Sequence, residues 1–139
     1  MSDWLVDDTL APPVTERCEP FHAAASNGRV VLPSCEACAG PVELDQVACH
    51  RCGAVGTVWH EVPRRAKVHA SSLVHRVAPP QILSDQPYLL IDVEFESGHR
   101  LVLTTTRPWA EPPEIGLEVP IGFRRVGEVH LPAVDTPFR

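Results

Sequence analysis

The chain has 139 residues, which is enough for one ordinary domain or two very small ones. Its 18 acidic and 12 basic residues give a formal net charge of −6, which opposes nonspecific nucleic-acid binding because phosphate neutralisation requires clustered positive charge. Hydrophobic residues make up 44% of the chain, so a packed core is expected, whereas the 15 prolines oppose a bundle of long helices.

The sequence carries no obvious targeting or membrane signal. No segment reaches the ~18 consecutive apolar residues that are needed to span a bilayer. Residues 1–8 are acidic and lack the basic-then-apolar order of a secretory signal. We therefore expect a cytoplasmic protein, in which thiols stay reduced and clustered cysteines indicate a metal or catalysis before disulfides.

The first elements are predicted to be an extended arm and a short helix. Residues 1–19 are expected to be extended, and they are interpreted either as a disordered tail or as a docking arm that Trp4 anchors. Pro20 suits a first helical position, the alanines at 23–25 favour a helix, and Gly28 is placed to end it. Residues 29–32 then predict a strand that leads into the first cysteine.

Four cysteines form two C-x-x-C pairs that are separated by ten residues. Each pair can hold one metal ion through two thiolates, and two such knuckles complete a tetrahedron, which suits zinc. Four thiolates leave no coordination position for water or substrate, so we predict a structural ion. A rubredoxin-like iron site uses the same four ligands, so iron stays an alternative to zinc. A thioredoxin-like redox pair is less favoured. The predicted ligands are Cys35, Cys38, Cys49 and Cys52.

The remaining reactive side chains do not form a recognisable catalytic set. The fifth cysteine, Cys18, is interpreted as a small buried apolar residue rather than a nucleophile. The seven histidines are scattered, and neither a G-x-S-x-G elbow nor an H-E-x-x-H motif occurs. Because nothing assembles a nucleophile, a base and an orienting group, we predict no catalytic residues.

From about residue 57 the hydrophobic pattern has a period of two, which indicates strands. Turns are predicted at 97–98 and 127–128, and the segment 66–77 is a weaker strand because two serines interrupt it. About five strands in about 75 residues match a small barrel or an OB-fold. One predicted core-facing row consists of Leu89, Ile91, Val93 and Phe95.

Several basic residues lie near the predicted barrel strands. Their ordinary interpretation is surface charge, and their functional interpretation is contact with phosphates or with an acidic partner. They are Arg64, Arg65 and Lys67, with Arg124 and Arg125 on a later strand.

The order of these parts resembles the family that joins a zinc ribbon to an OB-fold and associates with acyl-CoA enzymes, long catalogued as a domain of unknown function. The similarity covers roughly residues 10–134. It is carried by Pro20-Phe21-His22, by residues 28–32, by the two cysteine pairs with Gly53, by PYLLIDV at 87–93 and by IGLEV at 115–119.

The resemblance implies a mainly β fold with a short N-terminal helix. A rubredoxin-like zinc ribbon is followed by a five-stranded OB-fold barrel. We accordingly divide the chain into an arm and helix at 1–33, a ribbon at 34–56 and an OB-fold domain at 57–139. Where the family often has Phe-Trp, this chain has Phe21-His22, and a basic stretch at 63–67 replaces a Gly-rich entry to the barrel.

The resemblance also implies a function. We expect a non-catalytic accessory subunit that forms a hetero-oligomer with a thiolase-fold enzyme, such as a thiolase, acyltransferase or side-chain aldolase. It would help to bind or channel acyl-CoA in steroid side-chain or lipid metabolism, with Arg64, Arg65 and Lys67 as CoA contacts. The arm with Trp4 and the helix around Phe21 are the expected partner-facing elements. The alternatives are a nucleic-acid-binding OB-fold protein with a zinc ribbon and a stand-alone hydrolase.

Overall fold

The computed structural model describes residues 2–75 and 80–135. These residues contain a 3-10 turn at Asp8–Leu10, one α-helix and seven strands. None of the helices in this part of the chain is long and apolar enough to cross a membrane. The elements are α1 (Glu19–Ser26), β1 (Val30–Cys35), β2 (Thr57–Val62), β3 (Arg65–Val74), β4 (Tyr88–Glu94), β5 (Arg100–Leu103), β6 (Glu118–Val126) and β7 (Val129–Val134).

The predicted helix is confirmed as α1. Pro20 lies in its first turn, where a missing N–H costs no hydrogen bond. Gly28 follows the helix with a φ of +71°, a conformation that glycine adopts without strain. The helix buries Phe21, which joins the main core. Phe21 itself faces the core, because α1 packs against β1 and β7. The expectation that the helix around Phe21 faces a partner stays a prediction.

Strands β1 and β2 form an antiparallel two-stranded sheet, which we call the stem. Its register runs from Val30 opposite Val62 to Cys35 opposite Thr57, so residues 36–56 form a loop at its end. The predicted division at residue 57 falls inside this hairpin, and β2 pairs with the ribbon strand rather than with a barrel strand. The three-part division of the chain otherwise stays a prediction.

The other five strands form a nearly closed barrel in the order β5-β4-β3-β6-β7. All neighbouring strands are antiparallel, and a parallel bridge between Thr105 and Val134 joins the two ends. This is the strand arrangement of an OB-fold, so the predicted mainly β fold with ribbon and barrel is confirmed. The predicted strand 66–77 corresponds to β3, and its expected end at Val77 lies outside the described residues.

The hydrophobic core runs through the barrel and into the stem. The predicted row at 89, 91, 93 and 95 is fully buried, as the alternation requires. Val30, Leu32 and Val62 of the stem belong to the same core cluster. Cys35, Val42 and Cys49 form a separate small cluster at the loop. The stem is therefore held by the barrel core, while the loop has little apolar packing of its own.

The N-terminal arm folds back onto the barrel. The backbone N–H of Asp7 donates to the carbonyl of Gln81 (2.8 Å), and the N–H of Leu83 donates to Leu5 (2.6 Å). The indole N–H of Trp4 donates to the carbonyl of Thr105 (2.7 Å). A disordered tail is therefore the wrong interpretation for this segment, and the anchor that Trp4 provides is within the chain.

Candidate metal centre

The four predicted cysteines converge at the end of the stem. Their sulfur atoms all lie within 4.8 Å of one another. The Sγ atoms of Cys35 and Cys52 are 3.6 Å apart, and those of Cys38 and Cys49 are 3.7 Å apart. A tetrahedral ion with zinc–sulfur bonds would separate its ligands by about 3.8 Å, whereas a disulfide requires about 2.05 Å. The cluster therefore has the donors and the spacing that fit one tetrahedral ion.

Both knuckles adopt the same backbone turn. The N–H of Ala39 donates to the carbonyl of Cys35 (2.9 Å), and the N–H of Gly53 donates to that of Cys49 (2.8 Å). Ala39 and Gly53 are equivalent, and both have a left-handed backbone, with φ of +62° and +77°. The second knuckle thus has the residue type that this conformation favours, and the first does not.

The sulfur atoms differ in exposure and in the charge around them. Cys35 and Cys49 are buried, whereas Cys38 and Cys52 are exposed. The backbone N–H of Gly40, followed by the guanidinium of Arg51, lowers the pKa of Cys38 to about 6. Hydrogen bonds from nearby N–H groups and a cation thus stabilise the thiolate form that a metal ligand requires.

The pKa of Cys52 is shifted in the opposite direction from that of Cys38. The backbone N–H of Ala54 acts to lower its pKa, but the neighbouring thiol of Cys35, burial and the other two thiols outweigh this and raise the pKa to about 11. Four thiolates in one cluster repel one another, so a cation at their centre is needed before all four deprotonate.

Arg65 and Lys67 lie in a cleft of the barrel surface that also carries acids. The guanidinium of Arg65 is 4.0 Å from the carboxylates of both Glu96 and Glu118. Lys67 lies opposite Glu94 on β4 and opposite Glu118 on β6. Because three carboxylates accompany the two cations, this cleft has no excess of positive charge for a phosphate group.

Arg64 has a different environment. Its guanidinium carbon lies 5.7 Å from the centre of the Phe123 ring, within the range of a cation–π contact. The structure therefore does not bring the three predicted CoA contacts into one cluster.

The best-buried histidine has a structural position. His99 lies between the hydroxyl of Ser97, 2.7 Å from Nδ1, and the carbonyl of Pro33, which contacts Nε2. Because a carbonyl can only accept, the Nε2–H of His99 donates to Pro33. This arrangement connects the β4–β5 turn of the barrel to the stem.

Cys18 is buried and contacts Thr15 of its own turn, 3.2 Å from the hydroxyl. Within residues 2–75 and 80–135, the four-cysteine cluster is the group of His, Cys, Asp and Glu side chains arranged to hold a metal ion.

Sequence reasoning did not single out Arg51, although it contacts the cluster. Two features of the sequence could have indicated its role. One is a cationic residue between the two cysteines of the second knuckle, and the other is the glycine after the first knuckle.

The fold and the site define a class of protein: a four-cysteine ribbon mounted on a five-stranded OB-type barrel. Solved structures with this fold come from the DUF35 family. The structure named Ltp2-ChsH2(DUF35) aldolase matches 89% of this chain and 97% of its own chain, with 24% identity and a TM-score of 0.75. A DUF35 protein of unknown function from Sulfolobus solfataricus matches 84% of this chain and 82% of its own, with 13% identity and a TM-score of 0.57.

At the level of sequence, no family model and no curated protein matches the chain. The likeness to the two solved structures is therefore one of fold. The predicted resemblance to a ribbon-plus-OB-fold family is confirmed, because the structural neighbours are DUF35 proteins.

Proposed function

We propose that the chain is a non-catalytic subunit that assembles with a thiolase-fold enzyme in the cytoplasm. The observation that carries this proposal is the similarity, over 89% of the chain, to a structure whose name joins a DUF35 chain to an aldolase. A cluster of four thiolates supports a non-catalytic role, because it offers an ion no open position for substrate.

The proposed ion is zinc, and its role is to fold the loop at residues 36–56. The small cluster around Val42 buries too little apolar surface to order this loop by itself. Metal binding would supply the missing free energy. Iron remains the alternative, and elemental analysis of the purified protein distinguishes the two.

The proposed contribution to catalysis is to help bind or channel acyl-CoA, with steroid side-chain or lipid metabolism as the setting. This part rests on the family resemblance. Among the expected CoA contacts, Arg64 is the best candidate, because Arg65 and Lys67 face carboxylates. Arg64→Ala should weaken binding of CoA to the assembled complex, whereas Arg29→Ala, which alters an exposed arginine immediately before the stem, should not.

Co-expression with the proteins encoded beside this chain, among which we expect one with a thiolase fold, tests the assembly. We expect a complex of fixed stoichiometry, activity on acyl-CoA that requires both chains, and no turnover by this chain alone. A thiolase-fold protein that is monodisperse and fully active by itself would contradict the proposal. So would turnover of acyl-CoA by the isolated chain.

A further inference from the structure

We propose that Arg51 is a positioning residue of the metal centre. Its guanidinium donates to the carbonyl of Pro41, which follows the first knuckle, and residue 40 is glycine because that guanidinium occupies the space of a side chain. The inference rests on the metal assignment made above. It adds a fifth side chain to the four ligands and gives Gly40 a role.

The contacts of Arg51 connect the two knuckles. Arg51 belongs to the second knuckle, between Cys49 and Cys52. Its Nη2 donates to the carbonyl of Pro41, immediately after the first knuckle, at 2.7 Å. The same guanidinium lies against Gly40, the residue between Ala39 and Pro41. The side chain of the second knuckle therefore contacts the backbone of the first at two consecutive residues.

The glycine at position 40 has a steric explanation. A Cβ added there would lie 2.2 Å from Nη2 of Arg51 and 2.5 Å from Cζ and Nε, distances that real Cβ atoms essentially never show. Gly40 is not among the residues with a positive φ, so its backbone conformation is open to other residues. The space that Arg51 fills is therefore what requires glycine at this position.

The position of Arg51 also suits the charge of the proposed centre. Four thiolates on a divalent ion would carry a net negative charge, which a neighbouring cation stabilises. Cys38 is one of the two exposed ligands, so solvent and chelators reach its sulfur directly. By bonding to Pro41 and packing against Gly40, the guanidinium fixes the backbone that follows Cys38 and therefore the direction of its sulfur.

Chelator competition on the metal-loaded full chain tests the role. Arg51→Met keeps the length of the side chain but removes the cation and the N–H groups. We expect metal release to be about 10–100-fold faster, as for loss of other groups that support metal ligands. Arg51→Lys should recover part of the loss, because it restores the charge but not the fork. The control Arg29→Met, at an exposed arginine immediately before the stem, should release metal as the wild type does.

Gly40→Ala approaches the same contact from the other knuckle. It should displace the guanidinium and accelerate release in the same way. Combined with Arg51→Ala, it should add little further effect, because the space is then vacant. Additive effects of the two substitutions would contradict a shared contact.

Cobalt substitution separates this role from a purely structural one. A change in the direction of the Cys38 sulfur should shift the sulfur-to-cobalt charge-transfer band of Arg51→Met and Gly40→Ala, with that of Arg29→Met unchanged. A loaded wild type whose Arg51→Met variant has the same release rate and spectrum would overturn the inference alone. A wild type that binds no metal would overturn the metal assignment together with it.

Discussion

Ala39 occupies a left-handed backbone position in the first knuckle, and this conformation costs an L-amino acid about 1–2 kcal/mol. Ala39→Gly should raise the free energy of unfolding of the metal-loaded protein by roughly 0.5–1 kcal/mol, after the greater entropy of glycine in the unfolded chain is subtracted. Denaturant unfolding at a fixed metal concentration measures the change.

Gly53 allows the reverse substitution, which is the control for this prediction. It has the equivalent position in the second knuckle, and nothing lies within 4 Å of a Cβ added there. Gly53→Ala should therefore destabilise the protein through backbone strain alone, by a similar amount. If Ala39→Gly lowered the stability or Gly53→Ala raised it, the strain argument would be wrong.

At the scale of single residues, the cluster of four cysteines could be predicted because C-x-x-C spacing is a local property of the chain. The acidic surroundings of the predicted phosphate contacts could not be predicted from the sequence. Arg65 meets Glu118 because β3 pairs with β6, a neighbour relation that barrel closure sets and that single-sequence periodicity does not contain.

The N-terminal arm is fixed to the barrel by a buried ion pair. Asp3 accepts from Nε (2.9 Å) and Nη2 (2.6 Å) of Arg124, and its side chain is 1% exposed. Burial acts to raise the pKa of Asp3, but the hydrogen bond from Arg124 and the backbone N–H groups of Val6 and Leu5 outweigh it, so the pKa is lowered. The carboxylate form is thus favoured in the folded arm.

A lowered folded-state pKa fixes the direction of the pH dependence. The stabilisation by Asp3 should be fully present above the unfolded-state pKa of about 3.9. It should be lost as the pH falls through the lower folded-state value. Hydrogen exchange of the arm measured across this range reports the change, and an arm that gained protection as the pH fell would contradict it.

Removal of the Asp3 charge should release the arm. Asp3→Asn leaves Arg124 without its charged partner and should cost about 2–3 kcal/mol. Hydrogen exchange should accelerate in residues 4–11 and 80–83, which are bonded to each other. Asp45→Asn, at an exposed aspartate of the ribbon loop, is the control. Unchanged protection of the arm in Asp3→Asn would show that the ion pair does not hold it.

Metal removal should affect the ribbon loop and spare the barrel. The stem shares the main core with the barrel, whereas the loop depends on the cysteine cluster. Chelation, or Cys38→Ser, should therefore abolish exchange protection in residues 36–56 while β3–β7 keep theirs. Simultaneous loss of protection in both parts would contradict the separation of the two clusters.

The helix and most strands were accessible from the sequence because capping residues and alternation act over a few residues. The pairing of β2 with β1 and the docking of the arm could not be predicted from the sequence. Val30 pairs with Val62 although the ribbon loop separates them in the sequence. Trp4, near the N-terminus, hydrogen-bonds to Thr105, which lies far from it in the sequence. Such contacts depend on which surfaces remain uncovered after the barrel closes, and local pattern carries no information about that.

At the scale of the whole molecule, we propose that a metal site without an open position supports a function that depends on a partner enzyme. In our proposal an ion orders the ribbon loop, and a partner enzyme recognises the assembled surface. The stem joins the ribbon to the barrel, because its residues belong to the main core. Phe21 is buried and the indole of Trp4 hydrogen-bonds within the chain. The expectation that the arm and the helix around Phe21 face the partner stays a prediction.

X-ray absorption spectroscopy at the edge of the bound metal tests the central claim most directly. The account predicts one metal ion per chain with four sulfur ligands at about 2.3 Å and no light-atom ligand. An oxygen or nitrogen ligand that exchanges with solvent would contradict it, because an open coordination position would make the ion available for chemistry.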